Sequence, residues 1–397
     1  MIRLANECIR STAPAEPLST VLQGAGMRRI VLIVAVLCWV WRTGLPAFAQ
    51  SSAAPEASYL ALLPLSGSPA EQGGWCQRGF ELAVAELRAQ GVIVQMRYQD
   101  TRGEAREAVT AYRKGIRETG SPVVFTWGSS VAMSLAPITN SDGVLQMGVA
   151  TATPEYRTRG DYTFRLFPSA ESEAQFLSKV LERRFKGQRL GALYIENDYG
   201  IGSFEALRAL LESRNIYFVA AEVHTPNITD FRSQLLRIRS LKPEVLYLAS
   251  YPNDAALLIR QAREVGISAQ FLGSVAVASV ENLSDLAGGA AEGMLLSSTA
   301  VDPASSFART YAATFGAGGT AMSYAARSFD ALMVVEQARK SCGSDFSAAC
   351  LAKALLALEY KGASGAVRFD DAGDAEIQYV LNRIEGRNAL PDINGNF

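Results

Sequence analysis

One histidine, His224, is all that 397 residues supply. Serine and cysteine nucleophiles need an imidazole base, and most zinc sites need imidazole ligands. Most hydrolase chemistry is therefore excluded, and His224, at the end of a strand-like run before Thr225-Pro226, reads as structural. No G-x-x-x-x-G-K-[ST] loop is present, and GSPAEQGG is too loose for a dinucleotide fingerprint. WGSSVA lacks the glycine that a nucleophile elbow carries two residues after its serine. The sequence thus asks for no enzyme activity, cofactor or metal. A dominant charge is missing too: the formal net charge is −1, which gives no basic patch for nucleic acid. Beyond residue 50 no run is apolar enough to span a membrane.

Cysteine is sparse as well, at five residues. Cys8 and Cys38 fall in the first 49 residues, where a second start at Met27 opens MRRIVLIVAVLCWVWRTGLPAFAQ. Basic Arg28 and Arg29, an apolar stretch from Ile30 to Trp41 and the small-x-small Ala47-Phe48-Ala49 form a secretory signal, with Gln50 near the mature start. The expected location is the periplasm. There, Cys342 and Cys350 in SCGSDFSAAC are close enough to bridge a short loop, and Cys76 is left as a small buried side chain. At this length two lobes are expected rather than one core.

From Tyr59 short apolar runs alternate with amphipathic segments. YLALLPL, VIVQMRY, PVVFTW and VLQMGVA read as strands separated by helices, and a second series of the same kind begins after YTFRLFPSAES. Such βα alternation predicts parallel sheets. The helical patterns from residue 306 to 356 carry too few strands for a third domain and must pack back onto the first two. In GAVRFDDAGDAEIQYVLNRIEG, two strand-like runs flank an acidic turn and suggest an antiparallel hairpin. Its carboxylates lack the spacing of a calcium loop.

FTWGSSVAMS places Ser129 and Ser130 at the first turn of a helix that follows a strand, where unpaired N–H groups favour an anion. A helix cap alone is the other reading. The next strand ends at VATATPE, which delivers small hydroxylated residues to the same sheet edge, the edge at which open α/β sheets bind ligands.

WGSSVAMSLAPI, VATATPEYRTRGDYTFRLFPS, ENDYGIG and ITDFRSQLLRIRSLKPEVLYLASYPNDAALLIRQAREVGISAQFLG, in this order along the mature chain, resemble the leucine/isoleucine/valine-binding type of periplasmic substrate-binding protein for ABC transporters. The resemblance implies two Rossmann-like α/β lobes joined by a three-stranded hinge, one at 57–168 with 298–362 and the other at 169–297 with 363–390. It implies ligand contacts from Ser129, Ala150 and Ala152, with Thr151 beside them, and from the second-lobe aromatics Tyr199 and Tyr251. Gln72 stands where the family has a tyrosine, and Trp75 and Trp127 are placed to stack a flat or apolar ligand. Where amino-acid-binding members carry an acidic partner for the ligand ammonium, this chain has Val275. An α-amino acid is then in doubt unless Asp254 takes over, and Asp254 also suits capping of its helix. The expected function is capture of a small carboxylate, amide or amino acid and delivery to a membrane permease by a monomer. A sensor domain of the same fold and an unusual enzyme are the alternatives.

Overall fold

The computed structural model describes residues 57–157, 160–279, 283–299, 301–316 and 319–392. The expected signal segment lies outside them.

The first series runs β1 (Ala57–Leu63), α1 (Ala70–Ala89), β2 (Val94–Asp100), α2 (Ala105–Thr119), β3 (Val123–Trp127), α3 (Ser129–Asp142), β4 (Leu145–Ala150) and β5 (Thr163–Arg165). These strands form one parallel sheet in the order β2-β1-β3-β4-β5. β1, β3 and β4 are nearly continuous apolar runs because helices cover both faces of a parallel sheet. Phe80 and Trp75 of α1 pack on one face, and Tyr112 and Val131 of the α2–α3 layer on the other.

The second series runs α4 (Ala170–Arg184), β6 (Leu190–Ile195), α5 (Asp198–Glu212), β7 (Phe218–His224), α6 (Arg232–Ser240), β8 (Val245–Ala249), α7 (Pro252–Glu264), β9 (Gln270–Gly273), α8 (Leu283–Leu286) and β10 (Leu295–Thr299). Then come α9 (Ser306–Phe315), α10 (Gly319–Cys342), α11 (Ala348–Leu356), β11 (Tyr360–Gly362), β12 (Gly365–Val367), β13 (Tyr379–Glu385) and β14 (Asn388–Pro391). The second sheet has the order β14-β13-β10-β9-β8-β6-β7, parallel except at β13 and β14. As the sequence pattern requires, α9 to α11 return to the first sheet: Phe307, Tyr311, Tyr324, Leu332 and Leu351 share its core.

The chain passes between the sheets three times, after β5, after β10 and between β12 and β13. The hairpin expected around the acidic turn does not form. β12 pairs with β11 and β13 with β10, and only a single antiparallel bridge, Phe369 to Ala375, spans the turn. The turn is captured by β5 instead. The fully buried Arg165 grips Asp374 with two hydrogen bonds, from Nε to Oδ1 at 2.8 Å and from Nη2 to Oδ2 at 2.6 Å. Arg165 N also donates to Gly373 O, and Ala375 N to Arg165 O. Gly373, at φ +79°, must be glycine: a Cβ there would lie 2.4 Å from Thr163 O. Arg157 holds Asp370 at 2.6 Å, so this acidic turn serves as an anchor. No cluster of potential metal ligands occurs among the described residues.

Cys342 and Cys350 are bonded, with Cα atoms 6.0 Å apart, which ties the end of α10 to α11. Cys76 is free and buried, and burial pushes its thiol up to about 12.

Candidate functional site

β3 stops at Trp127 because Gly128 adopts φ +93°, a left-handed conformation that only glycine takes without strain. Gly128 is the N-cap of α3 and Ser129 its first residue. No side-chain cap bond is made there, so the capping reading of Ser129 does not hold. Its Oγ instead accepts from the amides of Ala152 and Thr153, at 3.2 and 3.3 Å. With its oxygen occupied by two donors, the hydroxyl keeps its own hydrogen to give. Ala150 O accepts from Gly128 N at 3.2 Å, and Ala152 O from Ala170 N at 2.8 Å. The two βα turns and the start of α4 are thus bonded into one piece. Ser130 is half-buried on the same helical turn. Thr151 points elsewhere: its hydroxyl folds back over Gly148.

The second sheet presents its carboxyl edge to the first. Asn197 caps α5 by accepting from Gly200 N at 2.9 Å, and Gly200 lies so close to β6 that a Cβ would meet Ile195 O at 2.1 Å. This fixes Tyr199, whose hydroxyl bonds Ser274 Oγ at 2.7 Å, just past β9. Tyr251, the N-cap of α7 before the N1 proline Pro252, stacks on Tyr199 with ring centres 5.7 Å apart and planes 8° apart. On its other side Tyr251 meets Trp127 of the first sheet at 5.9 Å. Gln72 of α1 crosses in the same direction, its Nε2 donating to Ser279 Oγ at 3.3 Å. Ile195, Tyr199, Val275 and Ala276 share one buried cluster with Trp127, Ala150, Ala152 and Phe167. Trp75 lies one turn beyond Gln72, edge-on to Tyr324 of α10 at 5.8 Å.

Three buried polar atoms of these residues have no partner: Gln72 Oε1, an acceptor, Trp127 Nε1, a donor, and the Thr151 hydroxyl. Such orphans are costly, and the first two mark positions where a ligand would supply the missing bond. Cavities of about 550, 520 and 510 Å³ elsewhere are lined by α1 with α9 and α10, by α3 with residues 155–156 and 160–162, and by the inter-sheet segments. None collects the residues at the facing sheet edges, where aromatic rings occupy the space between the strands.

The acidic residues are not where the sequence suggested. Asp254 reaches away from the start of its helix: its Oδ2 accepts from Asn227 N at 3.3 Å, beyond β7. Burial raises its carboxyl while the nearby His224 opposes the shift. His224 joins neighbouring strand ends, Nε2 facing Ser250 Oγ at 2.9 Å and Nδ1 facing Thr225 O at 3.1 Å, and burial lowers its pKa. The carboxylate at Val275 is Glu173, the fourth residue of α4. Only 2% exposed, it accepts from Val275 N at 2.7 Å through Oε1. Burial drives its carboxyl up to about 7, against the opposing pull of the Val275 amide and the Ser297 hydroxyl. In sequence Glu173 is indistinguishable from the acids that commonly favour a helix N-terminus; only the packing turns it inward.

Two largely parallel sheets opposing their carboxyl edges across a seam of aromatic, amide and hydroxyl groups, with three crossings between them, make a two-lobed α/β protein. Residues 61–387 match the periplasmic binding protein family, and the chain belongs to it. It is 28% identical over 229 residues to the Leu/Ile/Val-binding protein BraC3 of Rhizobium johnstonii, a match that covers 55% of this chain and 61% of BraC3, under two thirds of that relative's length. Among solved structures it is similar in fold to the leucine binding protein LivK of Thermotoga maritima, with TM-score 0.77 and 22% identity over 85% of this chain and 97% of that one. It is similar also to a solute binding protein of R. palustris solved with benzoate, with TM-score 0.74 and 18% identity over 84% and 94%.

Proposed function

We propose that this protein captures a small organic acid, amide or amino acid between its two sheets and hands it to an ABC permease, acting as a monomer in the periplasm. The two lobes are 57–168 with 298–362 and 169–297 with 363–390, so that the three crossings serve as the hinge. The observation that carries the reading is the seam itself. Trp127 from one sheet and Tyr251 and Tyr199 from the other form a continuous aromatic stack, beside the unpartnered Gln72 Oε1 and Trp127 Nε1. Ser129, with the N-terminal turn of α3 behind it, offers a hydroxyl hydrogen and a favourable dipole to a carboxylate, while Ala150 and Ala152 hold Ser129 in place and Ser130 and Thr151 flank it. The rings offer a flat, apolar surface for the ligand body, and Trp75 backs α1 behind Gln72. Relatives named for leucine and benzoate differ in whether the ligand carries an ammonium group, so the fold alone leaves both open.

A thermal-shift panel of amino acids, their deaminated counterparts, amides and aromatic acids tests the proposal. A ligand at a hundred times its Kd stabilises the folded state by about 2.7 kcal/mol, and at least one compound should raise the melting temperature in a concentration-dependent way. Silence across the panel would count against a ligand of this size.

A further inference from the structure

Among the described residues two arginines are buried, Arg165 at 0% and Arg327 at 2% exposed, and the fold meets only the first of them. Arg165 has Asp374, held by two hydrogen bonds. Arg327, on α10, has a buried Nη1 with no hydrogen-bond partner, and no carboxylate pairs with it among the described residues. The carboxylate that acts on it from a distance is Asp330, three residues further along α10. Asp330 is already committed, since it accepts from the Ala363 and Ser364 amides, both at 2.7 Å, and from the Ser364 hydroxyl. The phenols of Tyr324 and Tyr379 are the other polar groups acting on Arg327, and the Phe167 ring lies 5.9 Å from its Cζ. Burial lowers its pKa to about 10, which leaves the guanidinium charged at neutral pH. A buried charge without a partner is costly.

Arg327 lines the cavity of about 510 Å³ among the inter-sheet segments. Every place at which the chain passes between the sheets contributes to its wall: Leu166 after β5, Val301 and Pro303 after β10, and Ile377 and Gln378 between β12 and β13. Two carboxylates also line it, Asp302 and Glu376. Both are exposed, and Asp302 turns back to accept from Ala304 N at 2.8 Å. The cavity therefore has a cation inside and two anions at its rim. An unpaired guanidinium suits a halide or a planar carboxylate, whereas the rim charges repel an ion of higher negative charge.

We propose that this cavity is a second binding site, separate from the aromatic seam, which takes a small singly charged anion, a halide or a short monocarboxylate, on Arg327. Gln378 offers a side-chain amide as a further donor from the third crossing. An anion held there joins α10 to the segments on which the chain passes from sheet to sheet. The site stands independently of the cleft reading, because it needs no ligand at the seam.

Thermal unfolding in Tris–Hepes buffer free of halide and carboxylate, followed as sodium bromide or sodium acetate is added, tests this against sodium sulfate at matched ionic strength. Bromide and acetate should each raise the melting temperature saturably, by about 2–4 °C, and sulfate should not. Arg327→Met replaces the guanidinium with an uncharged chain and should abolish the response. Arg327→Lys keeps the charge without the fork and should weaken acetate binding at least fivefold. Crystals of the wild-type protein soaked in sodium bromide should show an anomalous peak beside Arg327, which locates the site without any variant. Lack of a saturable response, an equal response to sulfate, a response that survives Arg327→Met, or bromide peaks only elsewhere overturns the site.

Discussion

At the scale of single residues, Ser129 shows how a sequence motif can be located correctly and its bonding mistaken. The glycine-serine step after β3 was legible as a strand-to-helix turn, since Gly128 ends an apolar run. That the Ser129 oxygen is taken by the Ala152 and Thr153 amides depends on a turn 23 residues later, which no local pattern reveals. Ser129→Ala removes the acceptor of two buried amides as well as the proposed ligand donor. We expect a loss of about 1–3 kcal/mol in folding stability, read by urea denaturation, together with at least tenfold weaker binding of whichever acid or amino acid the panel identifies. Unchanged affinity with reduced stability would leave the serine a turn-holding residue only. Asp254 and Glu173 make the same point from the other side. Both are first-turn acids in sequence, and only tertiary packing sends one to the Asn227 amide and the other to Val275.

At the scale of elements, the strands and helices of both series were legible because parallel βα units carry long apolar runs and regular amphipathic helices. The segment between β12 and β13 was not. Two β-prone runs around an acidic turn suit a hairpin locally, but Arg165, 209 residues away from Asp374, outcompetes that pairing with a bidentate contact inside the protein. Removing one partner of such a pair strands a buried charge, at a cost of about 3–5 kcal/mol. Asp374→Ala should therefore destabilise the fold by that order in a denaturant titration, whereas Arg165→Leu combined with Asp374→Leu should cost clearly less. Equal loss in the single and double variants would show that the backbone bonds of the turn, not the ion pair, hold it.

At the scale of the whole molecule, the order of strands in the two sheets places every carboxyl strand end that matters on one seam. β3 and β4 face β6, β8 and β9, and their carboxyl ends with the turns and helix starts that follow supply Trp127, Ser129, Ala152, Tyr199, Tyr251 and Val275. This arrangement follows from the alternation seen in the sequence, which is why the fold and most of the seam could be anticipated from it. The placing of Glu173 against Val275 could not, because it comes from the inward turn of a helix that begins at a crossing. The central claim is that ligand binds at this seam and engages both sheets at once. Equilibrium titration followed by tryptophan fluorescence, on the wild-type chain and on Trp127→Phe and Tyr251→Ala, tests it most directly. The account predicts a saturable signal with the panel's best ligand that is largely lost in Trp127→Phe, and an affinity at least tenfold lower in Tyr251→Ala, from the opposite sheet, with both variants still folded. A signal and an affinity that survive both substitutions unchanged would place the ligand elsewhere and contradict it.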